Sequence, residues 1–303
     1  MINQPLWGID LGGTKIEGVI LESESNPQVI SRIRVPTERE KGYDHILSQI
    51  SQVIDLLQEE SGLVPTKLGI GTPGVSDPIT GLLKNSNTVV LNNKPFREDL
   101  RNKLGIPLRM TNDANCMALA ETRMGVVADE VPNAKVVFGV IMGTGVGGGL
   151  VIAQSVWDGL MGIGGEWGHN YLDSSGGECY CGKSGCVEKV ISGPAITKYY
   201  QDQTGIEKSL KEIYVDYKDG DVAAGEAIER LVNFFGLAIS NVINIVDPDA
   251  IVIGGGVGNI DELYTEGVEA TAKYIFNDRL ETKILKPKLG DSAGVFGAAF
   301  LNN

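Results

Sequence analysis

Apolar and polar positions along the chain fall into two periods. Leu6 to Asp10, Ile16 to Leu21 and Val29 to Val35 are dense in Ile, Val and Leu, which predicts short strands. Leu11-Gly12-Gly13-Thr14-Lys15 joins the first two as a glycine-tipped hairpin. Tyr43 to Glu60 sets Ile46, Ile50, Val53, Ile54 and Leu57 at helical spacing, and Leu68 to Gly71 returns to strand. Beyond a loop from Thr72 to Pro95 the pattern predicts a helix over Phe96 to Leu104, a strand over Leu108 to Thr111, and a helix from Asp113 to about Met124. A second strand pair, Val136 to Met142 and Leu150 to Ala153, repeats the glycine-tipped device through Gly143-Thr144-Gly145-Val146-Gly147-Gly148-Gly149, which suggests an internal duplication. Gly159 to Gly185 reads as an irregular insert, after which helices dominate, notably Val222 to Val246. Strand Ala250 to Ile253 leads through Gly254-Gly255-Gly256-Val257-Gly258 into a helix over Asp261 to Phe276, and Gly290 to Leu301 closes the chain as a small-residue helix.

Composition narrows the class. Glycine supplies 40 of 303 residues, about twice the usual share of ~7%. With 42% hydrophobic and 21% charged residues the chain is globular, and its length suggests two domains. Lys and Arg number 26 against 39 Asp and Glu, and a net charge of -13 repels nucleic acid and anionic membranes. The sequence holds no apolar run of the ~20 residues a membrane span needs. Met1-Ile2-Asn3-Gln4-Pro5 lacks the layout of a signal peptide, so a cytoplasmic address is expected.

Five motifs carry chemistry. Gly8-Ile9-Asp10-Leu11-Gly12-Gly13-Thr14-Lys15 ends a strand in a carboxylate and turns through two glycines, exposing amides where a phosphate can approach. It lacks the Walker spacing of a P-loop. Gly143, Gly145 and Gly148 match the dinucleotide fingerprint, but a β-rich run follows where that fingerprint needs a helix. Two such tips suggest a nucleoside triphosphate held between domains, and Gly254 to Gly258, between strand and helix, suits its ribose and adenine. Thr111-Asn112-Asp113-Ala114-Asn115 stands where a strand enters a helix; it reads either as a plain N-cap or, beside two phosphate loops, as the source of the carboxylate that phosphoryl transfer to an alcohol requires, with Asp113 as candidate base. His169 with Cys179, Cys181 and Cys186 forms the three-thiolate, one-imidazole set of a structural zinc site, the cysteines falling within eight residues. Glu166 and Glu188 flank that loop, so its closure should bring together two acceptors for sugar hydroxyls.

Taken together, these residues resemble the ROK family of sugar kinases and sugar-responsive repressors, within the actin-like, ribonuclease H-like ATPase superfamily. The stretches Gly165-Glu166-Trp167-Gly168-His169 and Cys179-Tyr180-Cys181-Gly182-Lys183-Ser184-Gly185-Cys186-Val187-Glu188 carry the resemblance most specifically. It implies an α/β protein of two actin-like domains with a cleft between them and a zinc-binding insert. Residues 1–112 would form a small N-terminal domain to which helix 290–303 returns, and residues 113–289 a large C-terminal one with zinc loop 166–188. It further implies Asp113 as catalytic base, and Gly12, Gly13, Thr14, Lys15, Thr144 and Gly145 around the phosphates of ATP. Gly255 and Gly256 would lie by the adenosine, and Asp10 would position Mg²⁺ through water. Gly74, Asn87, Asn112, Asp113, Glu166, His169 and Glu188 would hold the sugar, His169 giving one ring nitrogen to Zn²⁺ and the other to a sugar hydroxyl.

Within the family, Lys84-Asn85-Ser86-Asn87, Leu91-Asn92-Asn93-Lys94-Pro95-Phe96 and Glu166-Trp167-Gly168-His169-Asn170 most resemble bacterial fructokinases of the manno(fructo)kinase type. The expectation is therefore ATP-dependent phosphorylation of fructose, with mannose also accepted, at the 6-hydroxyl by a homodimer. N-acetylglucosamine kinase or glucokinase is the alternative within the family, and a non-catalytic sugar-binding regulator the alternative outside catalysis. A repressor would carry a DNA-binding region ahead of Gly8. Finally, the glycines within 8–13, 69–74, 143–149, 162–168, 176–185 and 254–258 are expected to clear backbone for ligand and metal, so that alanine there harms binding more than folding.

Overall fold

The structure, a computed structural model, describes residues 4–301. In chain order it runs β1 (Leu6–Leu11), β2 (Lys15–Leu21), β3 (Val29–Pro36), α1 (Tyr43–Ser61), β4 (Leu68–Thr72), β5 (Val75–Ser76), β6 (Leu83–Lys84), α2 (Phe96–Leu104), β7 (Leu108–Asn112), α3 (Asp113–Arg123) and α4 (Val126–Glu130). It continues β8 (Val136–Met142), β9 (Val146–Ile152), β10 (Ser155–Val156), α5 (Val187–Ile191), α6 (Gly193–Thr204), α7 (Leu210–Lys218), α8 (Val222–Val246), β11 (Ala250–Gly254), α9 (Glu266–Ala272), β12 (Lys283–Leu285) and α10 (Ala293–Phe300). Two five-stranded mixed sheets result, ordered β3-β2-β1-β4-β7 and β10-β9-β8-β11-β12. In each the first strand of the set lies at the centre, so the repeated glycine hairpin belongs to a repeated topology. Among the described residues no helix is long and apolar enough to cross a membrane.

The chain divides into two compact units, one of residues 1–130, 149–164 and 288–303, the other of 131–148 and 165–287. This differs from a boundary at residue 112. Helix α3 packs against α10, and α10 against β1 and β4, so the first unit keeps α3 and α4 by burial. The core of unit 1 fills the space between α1 and the sheet, where Ile46, Ile50, Val53, Ile54 and Leu57 meet Ile9, Ile16, Ile20 and Leu68. Helix α10 buries Val295, Phe296, Ala298, Ala299 and Phe300 all round, as a helix central to a unit must. In unit 2 the long helix α8 starts at an Asp221 cap, whose carboxylate accepts from the Ala224 amide at 2.8 Å, and stops at Asp247 in the left-handed region before Pro248.

Three sequence expectations change. The helix foreseen over Asp261 to Phe276 breaks into a 3₁₀ turn, Asp261–Tyr264, and the short α9. The Tyr264 hydroxyl donates back to Gly258 O at 2.8 Å and Thr265 leaves helical backbone, with φ -120° and ψ -89°. Strand β9 begins at Val146 rather than Leu150, which shortens the tip to Gly143–Gly145. Gly149 in β9 serves packing: a Cβ there would lie 2.6 Å from Ala114 O. The same holds for Gly8 and Gly69, where a Cβ would meet the α10 backbone at 2.5 Å and 1.8 Å. These glycines face a helix rather than a ligand, which corrects the reading of their clusters as cleared for binding.

Candidate active site and metal-ligand cluster

In unit 1, β1, β4 and β7 run parallel, so their carboxyl ends emerge on one side, the edge where open α/β sheets bind ligands. Each delivers candidate residues there: Asp10 from β1, the Thr72-Pro73-Gly74 turn from β4, Asn112 and Asp113 from β7. Asn112 caps α3, its Oδ1 accepting from the Asn115 amide at 2.7 Å. The N-cap reading of this motif is thus true of Asn112 and leaves Asp113, the first helical residue, with its carboxylate open to solvent. Asp113 Oδ1 accepts from the Ala114 amide at 2.8 Å, yet the crowding of protein around the group raises its pKa. Burial pushes Asp10 up to about 7, with the Asp113 and Glu17 carboxylates adding to the shift and Lys15 opposing it.

The β1–β2 tip is held by a Gly12 amide bond to Lys15 O at 2.9 Å and by Thr37, whose hydroxyl donates to Gly12 O at 2.7 Å. Among the described residues the Gly13 and Thr14 amides have no protein acceptor, so both are available to an anion. Lys15 lies 3.5 Å from the buried carboxylate of Glu17, which also takes Arg32 at 2.5 Å and Arg34 at 2.9 Å. Gly74 has φ +128°, and a Cβ there would sit 2.6 Å from Lys84 O. Asn87 is exposed in the loop after β6.

Unit 2 carries the second tip. The Gly143 amide donates to Gly145 O at 2.9 Å, while the Thr144 and Gly145 amides have no protein acceptor among the described residues. Glu188, in the first turn of α5, accepts from the Val146 amide at 3.0 Å, and a Cβ at Gly145 would lie 2.6 Å from its carboxylate. Gly255, with φ +85°, turns the chain out of β11 against Met142 O, and Gly256 follows in open space. Glu166 and His169 bracket a 3₁₀ turn fixed by Trp167, which is buried, meets Phe138 edge-on and donates to Gly147 O at 2.9 Å.

One ligating atom each from His169, Cys179, Cys181 and Cys186 lies within 4.8 Å of all the others. Cys181 and Cys186 sulfurs stand 3.6 Å apart, and His169 Nδ1 lies 3.7 Å from Cys179 Sγ. A disulfide needs about 2.05 Å, whereas two donors on a tetrahedral zinc with bonds of ~2.3 Å stand ~3.8 Å apart. Burial and the neighbouring thiols push Cys186 up to about 12, an unfavourable place for thiolates without a cation. His169 Nε2, expected to meet a sugar hydroxyl, lies 3.0 Å from the Tyr180 hydroxyl.

Sequence reading missed two supports. Asp158, from the loop after β10, takes the Thr111 hydroxyl at 2.5 Å, and Asn115 joins Thr111 at 2.9 Å. Nothing in its Trp157-Asp158-Gly159 setting marks that contact, which forms only when the loop folds over β7. Tyr180 was visible as the residue between Cys179 and Cys181, but its ring partner His169 was not.

The ROK family model matches residues 6–303. The N-acetyl-D-glucosamine kinase of Vibrio cholerae is 34% identical over 306 residues, covering 98% of this chain and 99% of that protein. The N-acetyl-D-glucosamine kinase of Histophilus somni is 35% identical over 308 residues, with 97% and 98% covered. Among solved structures, the ROK hexokinase of Thermus thermophilus aligns with a TM-score of 0.88 at 29% identity, covering 98% of this chain and 97% of that one. A ROK glucokinase from Streptomyces griseus, solved with glucose and AMPPNP, gives 0.76 at 26% identity, with 98% and 99% covered. Matched by the family model along nearly its whole length, and by relatives more than 30% identical over the same span, this chain belongs to the ROK family.

Proposed function

We propose that the protein transfers the γ-phosphoryl group of ATP to the 6-hydroxyl of N-acetyl-D-glucosamine. It is a sugar phosphotransferase, as its family and its named relatives indicate. The N-acetyl-D-glucosamine kinases at 34% and 35% identity support the amino sugar. These relatives do not support the fructose expectation, which gives way to the alternative within the family.

The observation that carries the chemistry is Asp113, a carboxylate of raised pKa at the carboxyl end of β7, in the same unit as a hairpin tip with free amides. In this reading Asp113 orients the 6-hydroxyl and takes its proton as the oxygen attacks the γ-phosphorus and the bond to the departing ADP breaks. Gly12, Gly13, Thr14 and Lys15 from one tip and Thr144 and Gly145 from the other would hold the phosphates, with Gly255 and Gly256 by the adenosine. Bound Mg²⁺, positioned by Asp10, would neutralise developing phosphate charge. Gly74, Asn87, Asn112, Glu166, His169 and Glu188 would hold the sugar. A structural Zn²⁺ on His169, Cys179, Cys181 and Cys186 would fix the turn bearing Glu166 and the helix bearing Glu188. A cytoplasmic homodimer completes the reading.

A coupled ADP-release assay across N-acetyl-D-glucosamine, glucose, mannose, fructose and N-acetylmannosamine tests it. The highest kcat/KM is expected on N-acetyl-D-glucosamine. Fructose in first place would restore the fructokinase reading, and no turnover of any of the five would refute the kinase reading.

A further inference from the structure

We infer that a small cavity in unit 1, beside the Thr72-Pro73-Gly74 turn, is the subsite for the 2-acetamido group of the sugar. The inference rests on the hexose-kinase reading above and goes on to say where the amino sugar is recognised. The cavity measures about 170 Å³. That falls below the ~300 Å³ at which pockets begin to enclose a whole small ligand, yet is several times the ~30 Å³ share of a water molecule. It suits a substituent rather than a ring.

Its walls tie it to the candidate sugar site. Thr72 and Thr111 line it at the carboxyl ends of β4 and β7. The Thr72 hydroxyl bridges Gly74 O at 3.0 Å and Thr111 O at 3.2 Å. Gly74 and the Asn112-Asp113 pair are therefore the next residues beyond this wall.

The lining has the chemistry of an amide with a methyl group. Val75, Pro78 and Met110 supply apolar surface. Ser76 contributes a hydroxyl that is buried and makes no hydrogen bond. Arg97, also in the wall, has no acceptor among the described residues. An unpartnered buried donor is a cost of about 1–3 kcal/mol that a ligand acceptor removes. The acceptor sought is a carbonyl oxygen, reached by rotation of the Ser76 side chain. Asp77 and Asp158 line the same cavity, which disfavours a carboxylate or phosphate there and gives an amide N–H an acceptor. Asp158 keeps capacity for it, since one oxygen takes Thr111 while the other has only Arg109 at 3.9 Å. A bare hydroxyl would leave the apolar wall uncovered.

The experiment compares kcat/KM for N-acetyl-D-glucosamine and glucose in the wild type, Ser76→Ala and the cavity-filling Ser76→Leu. The ratio between the two sugars should favour N-acetyl-D-glucosamine in the wild type, fall three- to tenfold in Ser76→Ala, the span of one net hydrogen bond, and fall at least tenfold in Ser76→Leu. Calorimetric binding of the two sugars should move in the same sense. If Ser76→Leu does not fold, the Ser76→Ala ratio decides alone. Equal losses on both sugars, or a wild type that prefers glucose, would overturn the subsite while leaving the kinase reading intact. A wild type that phosphorylates neither, nor any other hexose, would instead refute the kinase reading.

Discussion

Cys181→Ser separates a metal-held loop from a loop of free thiols. Cys181 is exposed, and its sulfur lies 3.6 Å from Cys186 Sγ. With no metal this is a surface exchange of one atom, worth within about 0.5 kcal/mol. With zinc, the change removes one of the four donors gathered within 4.8 Å. An ion present at only ~100 times its dissociation constant stabilises the folded state by about 2.7 kcal/mol. At ~2–4 °C per kcal/mol for a unit of this size, Tm should fall by roughly 5–11 °C. Two measurements check it. Elemental analysis of protein purified without added metal should give about one zinc per wild-type chain and less than half in the variant. Thermal melts with a strong chelator should lower the wild type toward the variant and leave the variant unmoved. A variant that melts with the wild type, both indifferent to chelator, would refute the metal site. Loss of the ion should also cost activity, because the Val187 amide donates to Asn170 O at 2.9 Å and so couples the His169 turn to the helix bearing Glu188.

Asp113→Asn keeps the Ala114 contact but removes the base, so kcat should fall by a factor of about 10²–10⁴ with sugar binding retained in calorimetry; several per cent residual turnover would exclude Asp113 as base. Asp10, with its folded pKa raised from 3.8 to about 7, makes the folded state bind more protons than the unfolded one between those values. Its contribution is therefore favourable at low pH and lost as pH rises toward 7, and Asp10→Asn should flatten that slope in denaturant titrations between pH 4 and 7. Gly69→Ala would put a Cβ 1.8 Å from Ala298 O, whereas a Cβ at Gly147 meets nothing within 4 Å. The first should lose at least ~3 kcal/mol or fail to fold, and the second should unfold with the wild type in urea. Equal stabilities would contradict the packing of α10 on the sheet.

By itself the sequence determined the local elements and the chemistry types. Dense β-branched runs and helical spacing located every strand of the first sheet, β8, β9 and β11 of the second, and helices such as α1 and α8, because burial on one face imposes those periods directly on the chain; the short edge strands β10 and β12 carry too few residues to show a period. The spacing of the cysteines similarly pointed to a cluster of four donor side chains, since residues close in sequence need only a short loop to meet. What tertiary structure alone decided were relations between distant segments. Glycines of similar appearance divided into those free at hairpin tips, such as Gly13, and those such as Gly69 pressed against α10, a helix more than two hundred residues away in sequence. Asp158 reached Thr111, Tyr180 turned onto His169, and Ser76 was left with a buried, unpartnered hydroxyl. Periodicity reports which face of an element is buried. Which neighbour buries it, and which polar atom is left without a partner, depends on long-range packing that leaves no period in the chain.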